Sequence, residues 1–253
     1  MSTIPVSPAT SRAADSVSCL SAKFLFFLAA TLLAVAANAA EVDAGTVPDT
    51  IKQRLTACTA CHGEQGRATS DGYYPRIAGK PAGYLYNQLH NFREGRRRYP
   101  MMTYLVDHLS DAYLQEIARY FADQHPPYPA PQPFDQSSAT RARGETLVNK
   151  GDPAKKIPAC IACHGSAMTG VMPATPGLLG LPRDYLVGQI GAWKNGARHA
   201  KAPDCMAQVV QRLSADDIGA VSAWLAAQPV PADAVAVAPT SVKLPLACGS
   251  VPN

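Results

Sequence analysis

The chain has 253 residues, 47% of them apolar and only 7% aromatic, with 22 prolines and a formal net charge of +4. That length permits one or two domains, and a charge so weak and dispersed argues against a nucleic-acid-binding surface. So few aromatic residues leave two cores short of bulk unless a large flat cofactor fills them.

The N-terminal segment reads as an export signal. Arg12 and Lys23 precede an apolar run from Phe24 to Ala37, which meets the small-x-small sequence Ala37-Asn38-Ala39. The run is short for a transmembrane anchor. A signal peptide is therefore expected over residues 1–39, with a periplasmic destination and an oxidising environment. An uncleaved leader, which would tie the protein to a membrane, is the alternative.

The remainder is written twice. Cys58-Thr59-Ala60-Cys61-His62-Gly63 returns as Cys160-Ile161-Ala162-Cys163-His164-Gly165. Pro75 and Gly79 are echoed by Pro176 and Gly180, Tyr84-Leu85 with Gln88 by Tyr185-Leu186 with Gln189, and Phe92 by Trp193. Met102 with Leu109-Ser110 is echoed by Met206 with Leu213-Ser214. The order holds with little drift, which indicates two copies of one domain. The expected organisation is a first domain over 40–125, a proline-rich linker over 126–139, a second domain over 140–229, and a Pro/Ala-rich tail over 230–253. The linker prolines cannot continue a helix.

Each copy reads as helical. Ser110 is a good N-cap, with Leu114, Ile117, Ala118 and Phe121 following on one face. Ser214 with Asp217 has capping-box spacing, and Ile218, Val221 and Leu225 repeat the stripe. Further helices are expected from Pro81 to Glu94 and from Arg183 to Asn195, stopped by Gly95 and Gly196. No alternating strand pattern is visible, so the expected class is all-α.

C-x-x-C-H is the attachment pattern of c-type haem. Two thiols at that spacing can add to the two vinyl groups of one porphyrin, and the adjacent histidine then lies beneath the iron. For seven cysteines and six histidines in this length, chance supplies about 0.005 such patterns, yet two occur at equivalent places in a repeat. A zinc site would need four converging ligands, and a redox dithiol would want a βαβ context. The expected cofactors are two covalent haem c groups on Cys58/Cys61 and Cys160/Cys163, with His62 and His164 as axial ligands.

The second axial ligands are assigned by register. Met102 and Met206 each lie eight residues before an N-cap serine, in what reads as a loop able to fold over the far haem face. Met101 is the rival to Met102, but its aligned partner is Cys205. Met168 and Met172 have no twins and read as packing residues. Pro75 and Pro176 are candidates to offer a carbonyl to the other ring nitrogen of each histidine, a plain turn being the alternative. His90, His108, His125 and His199 read as surface residues. Cys205 and Cys248 suggest a disulfide holding the tail beside Met206. The alternative is Cys205 as an iron ligand, which would lower the potential.

Taken together these residues resemble the di-haem class I cytochromes of the cytochrome c4 type, over about Pro48 to Gln228. The resemblance rests on C-x-x-C-H-G, Pro-x-x-x-Gly, the Tyr-Leu-x-x-Gln helix and Met followed by Leu-Ser, in the same order twice. It implies two tandem helical cytochrome domains and His/Met ligation of both irons. It also implies outer-sphere electron transfer from a dehydrogenase or bc-type donor to an oxidase or other acceptor. The linker, the tail and the extra cysteine pair depart from the family pattern. A permanent electron-accepting subunit of a dehydrogenase or oxidase is the main alternative, and a di-haem peroxidase or thiosulfate-oxidising enzyme a further one. Arg93, Arg96, Arg97 and Arg98 are read either as a basic docking patch or as a solvated face with contacts to haem propionates.

Overall fold

Thr50 starts the first helix, α1 (Ile51–Arg54), by accepting the Gln53 N–H on its hydroxyl. The computed structural model describes residues 49–69, 72–239 and 244–251; the expected signal peptide lies outside them. No helix of the described residues is long and apolar enough to cross a membrane.

Helix α2 (Thr56–His62) carries the first C-x-x-C-H sequence. It ends at Gly63, whose φ of +74° suits glycine, and a Cβ there would press on the Ala68 carbonyl. Helix α3 (Ala82–Arg93) follows Pro81, α4 (Pro100–Val106) has proline in its first turn, and α5 (Asp111–Ala122) is capped by the Ser110 hydroxyl. Helix α3 packs on α4 and α5. Their inner faces bury Leu85, Phe92, Val106, Leu114, Ile117 and Phe121 in one cluster with Leu55.

The second half repeats the plan. Helix α6 (Ser138–Asn149) begins at a Ser137 cap, and α7 (Ile161–His164) carries the second C-x-x-C-H sequence before Gly165, again at positive φ. Helices α8 (Arg183–Lys194), α9 (Cys205–Arg212) and α10 (Ala215–Ala226) match α3, α4 and α5. Helix α10 packs on both α6 and α8. Gly144 sits where α6 crosses α10, because a Cβ there would collide with the Ala220 carbonyl. A separate cluster centred on Leu147, Leu186, Leu213, Val221 and Leu225 forms this half's core.

Several expectations need adjusting. Met102 and Met206 lie on the short helices α4 and α9 rather than in loops: Pro100 preorganises the first, and the Asp204 carboxylate caps the second through the Ala207 N–H. A small antiparallel pair also exists, β1 (Gly170–Val171) with β2 (Thr175–Pro176). Met168 is buried, but Met172 is 40% exposed. His90 is half-buried and bonded to the Arg96 guanidinium, whereas His108, His125 and His199 are exposed.

The halves meet along a nearly two-fold seam. Arg97 and Arg198 form an antiparallel bridge, flanked by backbone bonds from Arg98 N–H to Ala197 O (2.9 Å) and from His199 N–H to Arg96 O (2.6 Å). The Gly83 N–H on α3 donates to the Pro173 carbonyl (3.1 Å). The linker is laid across both halves. Arg76 stacks on Tyr128 at 3.8 Å and donates to the Pro126 and Pro127 carbonyls, Tyr128 packs against Gly180, and the Gln132 N–H reaches Ala226 O.

The tail is docked as well. Val237 bridges to β1 through Val237 N–H to Gly170 O and Met172 N–H to Val237 O. Further on, Cys248 is disulfide-bonded to Cys205, the Gly249 N–H donates to Pro203 O, and the Ser250 carbonyl accepts from the Asn87 side chain on α3. The tail thus joins the start of α9 in one half to α3 of the other.

The capping box of α10 is part of a charged network. The buried Asp217 carboxylate accepts the Ser214 N–H and bonds Arg143 (2.7 Å) and Lys155 (3.0 Å), with Arg143 also reaching Asp152 (2.9 Å). Burial alone would raise the Asp217 pKa, but these hydrogen bonds and cations together carry it well below the ordinary carboxylate range. Asp217→Ala removes the cap partner and the charged bonds and should cost about 2–4 kcal/mol in urea unfolding at neutral pH. A depressed folded-state pKa stabilises above the unfolded carboxylate value and is lost on acidification. The difference between wild type and variant should therefore shrink as pH falls below about 4. Cys248→Ser, which opens a bridge between residues 43 positions apart, should lower stability by about 2–4 kcal/mol and make the tail cleavable by a protease in native conditions.

Candidate functional site

Helix α2 presents Cys58, Cys61 and His62 along one short turn, and α7 with the residue before it presents Cys160, Cys163 and His164 in the same way. His62 Nδ1 donates to the Pro75 carbonyl at 2.9 Å, and His164 Nδ1 donates to the Pro176 carbonyl at 2.8 Å. A carbonyl can only accept, so each Nδ1 carries the proton and each Nε2 keeps its lone pair. Burial holds both imidazoles below the ordinary histidine pKa, which keeps them neutral at neutral pH. A neutral, oriented imidazole with a free Nε2 is what an axial iron ligand requires.

Both histidines open onto one cavity of about 680 Å³ that runs through both halves. In the first half Cys58, Cys61 and Met102 also line it; in the second half Cys160, Cys163 and Met206 do. Its walls are otherwise largely the apolar side chains of the two cores, Phe92 and Ile117 on one side and Leu186 and Val221 on the other. Met101, twin of Cys205, also lines it but is 54% exposed.

The four C-x-x-C thiols are unpaired, in contrast to Cys205 and Cys248. Burial raises the Cys58 and Cys163 pKa values and pushes Cys160 up to about 11, so these three sulfurs are neutral thiols at neutral pH. Among the described residues no cluster of His, Cys, Asp and Glu completes a closed metal site around either pair.

At the seam lies a polar centre. Arg97 donates to Gln88, Gln189 and the Tyr185 hydroxyl; Arg198 donates to the same two glutamines and the Tyr84 hydroxyl. Phe92 and Trp193 lie beneath the two guanidiniums, at 4.6 and 3.8 Å. All these hydrogen-bond partners are neutral, although Arg198 is buried and burial lowers its pKa. Two facing guanidiniums with no carboxylate among these partners, at the edge of an apolar cavity, suit an apolar cofactor that carries carboxylates of its own. The histidines, the neutral thiols and this seam all fit haem.

Two other arginines of the expected patch have local partners. Arg93 caps the turn before α5 through Leu109 O and pairs with Asp111, and Arg96 bonds Asn91 and His90. Arg198 was not singled out by motif, although Gly95-x-Arg97 and Gly196-x-Arg198 repeat in register.

No protein-family model matches the chain. A thiosulfate dehydrogenase electron acceptor from Thiomonas intermedia is 40% identical over 175 residues, 69% of this chain and 79% of that protein. Cytochrome c4 from Pseudomonas aeruginosa is 32% identical over 174 residues, 68% of this chain and 84% of that protein. Among solved structures, reduced cytochrome c4 from Pseudomonas stutzeri aligns with a TM-score of 0.61 at 29% identity, covering 70% of this chain and 95% of that one. The as-isolated thiosulfate dehydrogenase from Marichromatium purpuratum aligns with a TM-score of 0.61 at 33% identity, over 68% of this chain but only 36% of that longer polypeptide. With the repeated histidine sites and the seam between them, these likenesses show that the chain belongs to the cytochrome c4 type of di-haem class I cytochromes, electron-transfer proteins with two covalently bound haem c groups.

Proposed function

We propose that the chain is an exported electron carrier that accepts electrons from a thiosulfate-oxidising dehydrogenase and passes them to a further redox protein, without transforming a substrate itself. In this reading Cys58/Cys61 and Cys160/Cys163 would hold the two haems, with His62 and Met102 ligating one iron and His164 and Met206 the other. The haems supply reversible one-electron chemistry. The observation that carries the reading is the pair of neutral histidines, each fixed by a proline carbonyl, opening onto one cavity with a methionine-bearing helix in each half.

The protein's own contribution is orientation and exclusion of water. Proline carbonyls set the imidazole planes, the two core clusters line an apolar pocket, and the guanidinium seam offers partners to carboxylates between the halves. A histidine and a methionine on each iron leave no position for a substrate, which favours a carrier over a peroxidase. Commitment of the Cys205 sulfur to Cys248 supports Met206 as the distal residue. Export is supported by the leader sequence and by that disulfide.

The donor is argued from the relatives named as thiosulfate dehydrogenase electron acceptors. The exposed Tyr73, Met101 and Tyr104 lie on the first half, while at the second the disulfide-bonded tail sits at the start of α9. Docking on the first half follows from that difference. The match to about a third of a longer thiosulfate dehydrogenase chain favours a second reading, in which the carrier stays bound to its dehydrogenase. Co-elution that survives high salt would select it over a diffusing shuttle, whose docking is salt-sensitive.

The mass of protein from a haem-ligating host should exceed the polypeptide by two haems. Thiosulfate with a thiosulfate dehydrogenase should reduce it far faster than thiosulfate alone; equal rates would remove that donor and leave the haem assignment standing. Met102→Ala and Met206→Ala should each abolish about half of the methionine–iron absorption band and open one haem to carbon monoxide. An unchanged band would overturn the axial assignment.

A further inference from the structure

Lys80 is one of the buried charges at which the repeat is broken. Lys80 belongs to the first half, in the turn between Gly79 and α3, but its side chain crosses the seam. The residue is 5% exposed, and its ammonium donates to the Gly177 carbonyl at 2.7 Å. No ion pair of the described residues involves Lys80, and the charged neighbour that acts on it is another cation, Arg76. Gly177 directly follows Pro176, whose carbonyl receives the His164 Nδ1–H. Successive carbonyls of one strand end therefore hold the proximal histidine of the second site and a lysine from the other half.

The reciprocal position is empty of charge. Gly79-Lys80 in the first copy corresponds to Gly180-Leu181 in the second, and Leu181 is a buried member of the second core. Arg97 and Arg198 lie at the seam itself, where they share Gln88 and Gln189 between them. A buried cation beside one site stabilises the electron added there, and does so more strongly than it would in water.

We propose that Lys80 is a positioning residue for electron transfer, through which the first half sets the reduction potential of the second site. This rests on the haem attachment at Cys160/Cys163 proposed above. Burial pulls the Lys80 pKa down to about 7, so at mildly acidic pH the ammonium is charged, and that charge would favour electron uptake by a haem held in the second half. The relay is thereby tilted toward the second half by a residue that belongs to the first.

The test is a redox titration of the intact di-haem protein at mildly acidic pH, with the haem methyl signals of the two sites resolved by NMR and assigned through Met206→His. Lys80→Met keeps the aliphatic stem and removes the charge. At a fixed ambient potential it should lower the reduced-to-oxidised ratio of the second site by about tenfold and leave the first unmoved. Lys80→Gln, which retains a polar donor, should do the same if the methionine variant does not accumulate, and Lys80→Arg should restore the wild-type ratio. A tether between the halves would change unfolding but not one potential. Unmoved ratios, equal shifts at both sites, or a shift that persists in Lys80→Arg would overturn the proposal. Wild-type mass separates the two failures. Two haems with unmoved ratios overturn the role of Lys80 alone, whereas a haem-free second half overturns the attachment and this inference with it.

Discussion

The bond from each histidine Nδ1–H to a proline carbonyl depends on almost everything else in its half. Proline has no N–H and a fixed φ, so its carbonyl can be presented inward without an amide proton of its own to satisfy. The histidine reaches it because its helix ends at a glycine in positive φ, which turns the chain back under the ring. The apolar clusters then exclude water from the bond. Exclusion of water keeps the imidazole neutral, and the bond leaves the other nitrogen available as a ligand. Helix packing, a short turn and a tautomer are in this sense one constraint, met twice in one chain.

Features that repeat, or that follow from local chemistry, were legible in the sequence. The two C-x-x-C-H-G turns, the serine caps at Ser110 and Ser214, and the paired helices ending at Gly95 and Gly196 each carry a short-range signal. Helix α6 is different. Its buried face is only Gly144, Leu147 and Val148, too few positions to show a stripe against a polar background. It is held by its close crossing with α10, which no local pattern reports. The helical state of Met102 and Met206 was hidden for a related reason, since α4 and α9 are about two turns long and lie in stretches that read as loops.

The seam was the least legible part, because it is made by residues about a hundred positions apart. Arg97 looked like one member of a run of surface arginines. Its role appears only when Arg198, Gln88 and Gln189 are brought around it. Burial inverts the ordinary meaning of such a residue. On the surface a guanidinium is a docking charge worth little; at the rim of an apolar cavity, with only neutral partners, it marks the place of an anion. Lys80 is equally hard to read from sequence, where it is an unremarkable loop lysine until its ammonium is found against a carbonyl of the other half.

Duplication gives two similar sites, and similar sites make a poor relay, because an electron has little reason to prefer one. The departures from the repeat are therefore where direction can be built in. They fall on the second half's surroundings: Leu181 where the first copy has Lys80, Cys205 where it has Met101, and a tail with no counterpart. The tail's bonds reach Cys205 on one side and Asn87 on the other, so they oppose separation of the halves at the seam. A seam held in this way keeps the Lys80 ammonium away from water, and burial is what gives a single charge enough reach to matter. Rigidity at the interface and inequality between the sites would then have the same origin, in the few positions where the two copies no longer agree.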